Sequence, residues 1–96
     1  MGIKTYPYDS AEFLTDDESI AEYLTLSLES DDPREIAQAL GVVARARGGI
    51  AQLAKQTGLS REALYRSLGD AGNPELGTIL KVIHALGIQL SASLVA

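Results

Sequence analysis

The side chains best suited to specific polar contacts fall in one short segment, Ile50-Ala-Gln-Leu-Ala-Lys-Gln-Thr-Gly-Leu-Ser-Arg-Glu-Ala-Leu-Tyr-Arg-Ser-Leu68. Their chemistry is recognition rather than bond breaking. Arg61 and Arg66 carry the planar guanidinium that pairs with guanine O6 and N7 in bidentate fashion, worth about 1–3 kcal/mol of discrimination per base. Ser60 and Tyr65 add hydroxyls. Glu62 is an acceptor for cytosine N4 or, the favoured reading, a partner for the positive end of a helix. Gln52 and Lys55 suit phosphate oxygens. Upstream, Arg45 and Arg47 read equally as phosphate contacts or as cations complementing a helix C-terminus.

Catalysis finds no comparable support. His84 is the only histidine and there is no cysteine, so thiolate zinc sites, disulfides and cysteine nucleophiles are excluded together. The clusters Asp16-Asp17-Glu18 and Asp31-Asp32 sit at helix starts, where capping explains them, and neither offers the convergent oxygens of a calcium loop. Gly48-Gly49 joins two helices and is no phosphate cradle. No nucleophile has a base, and neither an enzyme nor a cofactor nor a metal is expected.

The elements that must position the polar segment are helical. Two short helices around a three-residue turn need a small residue at the crossing, a residue tolerating positive φ in the turn, and an apolar side chain dropped back into the joint. Ala54, Gly58 and Leu64 meet those demands, with Leu53 and Leu59 in support, and Ser60 caps the second helix. This is the helix-turn-helix pattern. Leu59, Ala63, Leu64 and Leu68 face inward, which leaves Ser60, Arg61, Glu62, Tyr65 and Arg66 outward on a helix narrow enough for a major groove.

Flanking helices follow from caps and period. Thr15-Asp-Asp-Glu18 reads as a capping box opening a helix with Ile20, Tyr23, Leu24 and Leu28 on its apolar side. Asp32-Pro33 opens a second, with Ile36, Ala39, Leu40, Val43 and Ala46 as its stripe. A last helix spans about 75–86, with Leu76, Ile79, Leu80, Ile83 and Leu86 on one face. The tail Ile88-Gln-Leu-Ser-Ala-Ser-Leu94 alternates with period two and reads as a strand, one that would pair with another chain. Pro7 breaks the first residues, with one short turn before Leu14.

Ninety-six residues make one small fold, and 46% hydrophobic content supplies a single core. No segment is long and apolar enough for a membrane span, and the absence of cysteine and of a leader sequence points to the cytoplasm. The net charge of −5 conceals an asymmetry. Residues 1–35 carry two basic against ten acidic side chains, a net of −8, whereas residues 36–96 carry six against three, a net of +3. One end suits a basic partner and the other a polyanion.

With these residues in view, Ala44-Arg-Ala-Arg-Gly48, Gln52 to Arg66, Gly72-Asn-Pro74, Tyr8-Asp-Ser-Ala-Glu12, Ile20-Ala-Glu-Tyr-Leu24 and Leu86-Gly87 resemble the addiction-module antidote proteins. These are HigA-like antitoxins with a Cro/C1-type, lambda repressor-like fold. The likeness covers about residues 6–94. It departs at Ile50, where such domains hold glutamine, and at Ser67, where they hold an apolar residue. The resemblance implies an all-α, five-helix helix-turn-helix domain over 32–96, preceded by an acidic N-terminal extension and helix over 1–31 and closed by the short C-terminal β-strand. It further implies an antitoxin that binds operator DNA, represses its own operon, and neutralises a RelE/HigB-like ribonuclease toxin; a homodimer is expected because two recognition helices reading two half-sites supply specificity that one cannot. Such toxins are basic, so the acidic region is their candidate surface, with Tyr6, Tyr8, Asp9 and Phe13 as contacts. For Phe13, packing on the Thr15 helix is the favoured alternative. A stand-alone phage-type repressor without a toxin partner, or an adaptor that does not bind DNA, are the competing functions.

Overall fold

The computed structural model describes residues 10–69 and 73–95. A 3₁₀ turn at Ser10–Phe13 precedes five helices: α1 (Asp17–Glu29), α2 (Pro33–Ala46), α3 (Gly49–Thr57), α4 (Arg61–Ser67) and α5 (Leu76–Ala85). The all-helical expectation holds for these residues. The C-terminal strand does not: residues 88–95 lie outside any helix or strand. Alternating side chains give a segment strand character only when a neighbouring backbone receives its hydrogen bonds, and among the described residues no other segment runs beside it as a strand.

Local chemistry explains the helix starts. α1 opens one residue later than Thr15: Asp16, in extended conformation, is the cap. The Ser19 N–H donates to Asp16 Oδ1 at 2.8 Å and the Asp16 N–H donates to Ser19 Oγ at 3.3 Å. A carboxylate is a stronger acceptor for helix N–H groups than the threonine hydroxyl one residue earlier, and it complements the dipole. These bonds, first from the Ser19 backbone and second from its hydroxyl, hold the Asp16 carboxyl below its ordinary pKa. α2 begins as expected, with Asp32 accepting from the Arg34 N–H at 3.0 Å and Pro33 in the first turn.

α2 is the axis of the molecule, packed by the 3₁₀ turn, α1, α3 and α5. It can be so surrounded because Ala37, Ala39, Gly41 and Ala44 on it are small and buried. A Cβ at Gly41 would lie 3.4 Å from the Leu68 carbonyl oxygen, so α2 approaches the end of α4 closely there. Leu40, Val43, Leu53, Leu64 and Val82 are the largest fully buried side chains, and Ile20 and Leu24 of α1 join the same core. The stripe expected on α5 is corrected in part. Val82, Ile83 and Leu86 are buried, but Leu76 is 70% and Leu80 40% exposed. The buried column of α5 is the one at 79, 82, 83 and 86, and its neighbour at 76 and 80 is left uncovered. Leu28 on α1 is likewise 40% exposed.

Candidate nucleic-acid interface

α3 and α4 pack on one another across Gly58-Leu59-Ser60. Gly58 has φ +77°, the left-handed conformation that the turn requires and that a Cβ disfavours. Its N–H donates to the Ala54 carbonyl at 3.0 Å. The Ala63 N–H donates to Ser60 Oγ at 3.0 Å, which is the cap expected for α4. Sequence reasoning missed Thr57. Its hydroxyl donates to the Leu53 carbonyl at 2.8 Å and accepts from the Leu59 N–H at 3.2 Å, so it ties the end of α3 to the turn. The available signal was a threonine directly before a helix-ending glycine, since such hydroxyls often bond to nearby backbone.

Leu64 is fully buried, Leu68 nearly so, and Leu53 is 1% exposed beneath them. With that side fixed, Ser60, Arg61, Glu62, Tyr65 and Arg66 all lie exposed on the outer side of α4. Tyr65 is 63% exposed, a large aromatic surface for an intramolecular role. Gln52 and Lys55 are exposed on α3, and Arg45 near the end of α2. Among the described residues, no ion pair engages Lys55, Arg61 or Arg66. Arg47 stands apart from this set. Its Nη1 donates to Asp17 Oδ1 at 2.7 Å, which joins the end of α2 to the start of α1 in a solvent-exposed pair of the kind worth about 0–1 kcal/mol.

A second surface lies between α1 and the tail. A groove of about 970 Å³ is lined by Ile20, Leu24 and Leu28 of α1, by the charged Asp17, Glu29, Asp31 and Arg47, and by residues 88–93. Phe13, 62% exposed, sits in the 3₁₀ turn, which packs against α2 rather than burying the ring on α1. Tyr6, Tyr8 and Asp9 lie outside the described residues. His84 is exposed on α5, and no group of three or more histidine or acidic side chains among the described residues is placed to hold a metal ion. No helix is long and apolar enough to cross a membrane among those residues.

The family model described as "probable addiction module antidote protein" matches residues 4–94. The chain belongs to that family. A relative from Haemophilus influenzae (strain Rd), named only as an uncharacterized protein, is 45% identical over 82 residues, spanning 85% of this chain and 84% of the relative. No solved structure matches it at a significant level. For an antidote of an addiction module the implied partner is a toxin.

Proposed function

We propose that this antidote protein neutralises a RelE/HigB-like ribonuclease toxin by direct binding and, as a homodimer, represses its own operon through sequence-specific contacts of the α3–α4 pair with operator DNA. The observation that carries the DNA half is the outer side of α4. Arg61, Tyr65 and Arg66 are exposed there, the two arginines are without ion pairs among the described residues, and a helix-turn-helix corner with a positive-φ glycine and a serine cap presents them. Exposed guanidinium groups without ion pairs are free to neutralise the phosphates of a polyanion, releasing its counterions. In this reading α4 enters the major groove, Arg61 or Arg66 reads guanine, and Gln52, Lys55 and Arg45 contact phosphates. Arg47 reaches phosphate only by releasing Asp17.

Family membership supports the toxin half, and so does the charge of residues 1–35. A net of −8 attracts a basic RNA-binding protein and speeds encounter, and the groove beside α1 offers apolar surface together with Glu29 and Asp31. Tyr6, Tyr8, Asp9 and Phe13 remain the proposed toxin contacts.

Co-expression with the neighbouring small open reading frame tests both halves. A toxic neighbour whose growth arrest is relieved, with the two proteins co-purifying, is the expected result. No toxicity and no complex would overturn the toxin half and leave a solitary repressor. DNA binding is tested separately on the upstream duplex, and affinity independent of salt would overturn the repressor half, because phosphate contacts release counterions.

A further inference from the structure

The groove beside α1 follows one face of that helix from end to end. Asp17, Ile20, Ala21, Leu24, Thr25 and Leu28 all line it, at the three- and four-residue spacing of a single helical stripe. From Asp17 to Glu29 this face is about 18 Å long, the span of three helical turns or of five to six extended residues. Charge divides it. At the start of α1, Asp17 is matched by Arg47. At the other end Glu29 and Asp31 both line the groove, and among the described residues no ion pair engages either, Arg34 included. Both carboxylates stand where the chain itself disfavours them. The last turn of α1 holds no basic side chain, and the C-terminal end of a helix repels anions. Asp31 is also the non-glycine residue with a positive φ, +58°, among those described, a conformation that glycine would adopt without strain.

We infer that this groove seats an apolar segment of the toxin, about 18 Å long, with a lysine or arginine of that segment held by Glu29 and Asp31. The inference rests on the toxin half of the function proposed above and gives it a place and a polarity. Ile20, Leu24 and Leu28 supply the apolar contact, and Leu28 is left 40% exposed within its own stripe until a partner covers it. A cation brought between Glu29 and Asp31 offsets the repulsion that the α1 dipole imposes on both. Charge selects the occupant. Operator DNA is repelled by these acids. A second copy of this chain, at −5 overall, is repelled as well, and the nearby Arg47 is already paired with Asp17. A basic protein is the complementary partner. Residues 88–93, outside any helix or strand, line the same groove, so the bound segment lies against the tail as well as against α1.

The probe is the protein encoded by the neighbouring small open reading frame, bound to the full chain and followed by association kinetics at several salt concentrations. Glu29→Gln combined with Asp31→Asn removes both charges with little change of shape, and asparagine tolerates the left-handed backbone. The Kd should rise roughly tenfold or more, through an association that is slower and less sensitive to salt. The same double variant should keep or raise its urea midpoint, because it relieves two anions at the negative end of α1; that separates lost contact from lost fold. Leu28→Gln should weaken binding by a similar factor, whereas Leu26→Gln, 69% exposed on α1 but outside the groove, should bind like wild type. Amide hydrogen exchange over residues 88–93 should slow in the complex. Wild-type affinity in both the double variant and Leu28→Gln, or unchanged exchange over 88–93, would overturn this seat and leave the toxin half standing. Equal weakening by Leu26→Gln would do the same, by moving the contact to another face of α1. A wild-type chain that does not bind the probe would overturn the seat and the toxin half together.

Discussion

Removing Arg61 and Arg66 one at a time should produce two different defects. The two side chains are five positions apart on α4, which places them about 140° apart around the helix. One orientation of α4 in a groove therefore aims one of them at base edges and the other toward a phosphate wall. Truncating the base-reading arginine costs about 1–3 kcal/mol, roughly 5–150-fold in Kd, on the cognate duplex and little on a scrambled one. Truncating the phosphate-binding arginine weakens both duplexes alike and flattens the slope of log affinity against log salt by about 1. Neither change should disturb the fold, since both side chains are exposed on a helix held by Leu64 and Leu68, and surface substitutions of this kind stay within about 0.5 kcal/mol. Fluorescence anisotropy on upstream and scrambled duplexes at several salt concentrations, with a urea melt of each variant, separates the cases. A double variant that binds the cognate duplex like wild type would refute the recognition argument. A double variant that loses binding only because its melt collapses would refute it as well, by showing that the arginines hold the fold.

Three further outcomes follow from the same geometry. Leu64→Ala empties a fully buried site at the joint of α3 and α4 and should cost about 2–5 kcal/mol, which at this chain length lowers Tm by roughly 10–30 °C in a calorimetric scan. Gly58→Ala meets no neighbour within 4 Å, yet φ of +77° makes it unfavourable by about 1–2 kcal/mol, readable as a lower urea midpoint; an unchanged midpoint would mean the turn relaxes. Asp16, whose carboxyl is held below its ordinary value of 3.8 by the Ser19 bonds, contributes stability that is complete above that value and is lost as pH falls through the lower folded pKa. The urea midpoints of wild type and Asp16→Asn should therefore differ near neutral pH and converge in acid, and a constant gap would remove the cap from the account.

What could be read in the sequence was what local chemistry decides. Asp32-Pro33, Gly58 and Ser60 each act on backbone within four residues of themselves, so residue type and spacing were enough to place α2 and the turn. The α1 cap slipped by one residue because Thr15 and Asp16 are both competent, and only the geometry of Ser19 separates them. Three features depend on distance. Arg47 pairs with Asp17 thirty positions away, the tail meets no strand among the described residues, and period alone cannot say which of two adjacent apolar columns on α5 meets the core. The outward residues of α4 were legible for the converse reason. Once Leu59, Leu64 and Leu68 are committed inward, the helix period leaves Arg61, Tyr65 and Arg66 no other side. The acidic surface was legible as charge but not as shape, because the groove beside α1 is completed by residues 88–93 from the far end of the chain.

That dependence also decides how the α4 face must be understood. A seven-residue helix is far below the dozen or so residues at which an isolated helix becomes even marginal in water. The direction in which Arg61 and Arg66 point is therefore set by its caps and by what lies beneath: Leu64 in the joint, Leu68 against the Gly41 approach, and the Thr57 hydroxyl fixing the turn. On the proposed reading, recognition and core packing are the same property at this site. On that reading a change at Gly41 or Thr57, neither of which is among the exposed polar residues proposed to touch DNA, should act on affinity by re-aiming α4, and a change at Arg61 or Arg66 should act on affinity while leaving the core intact.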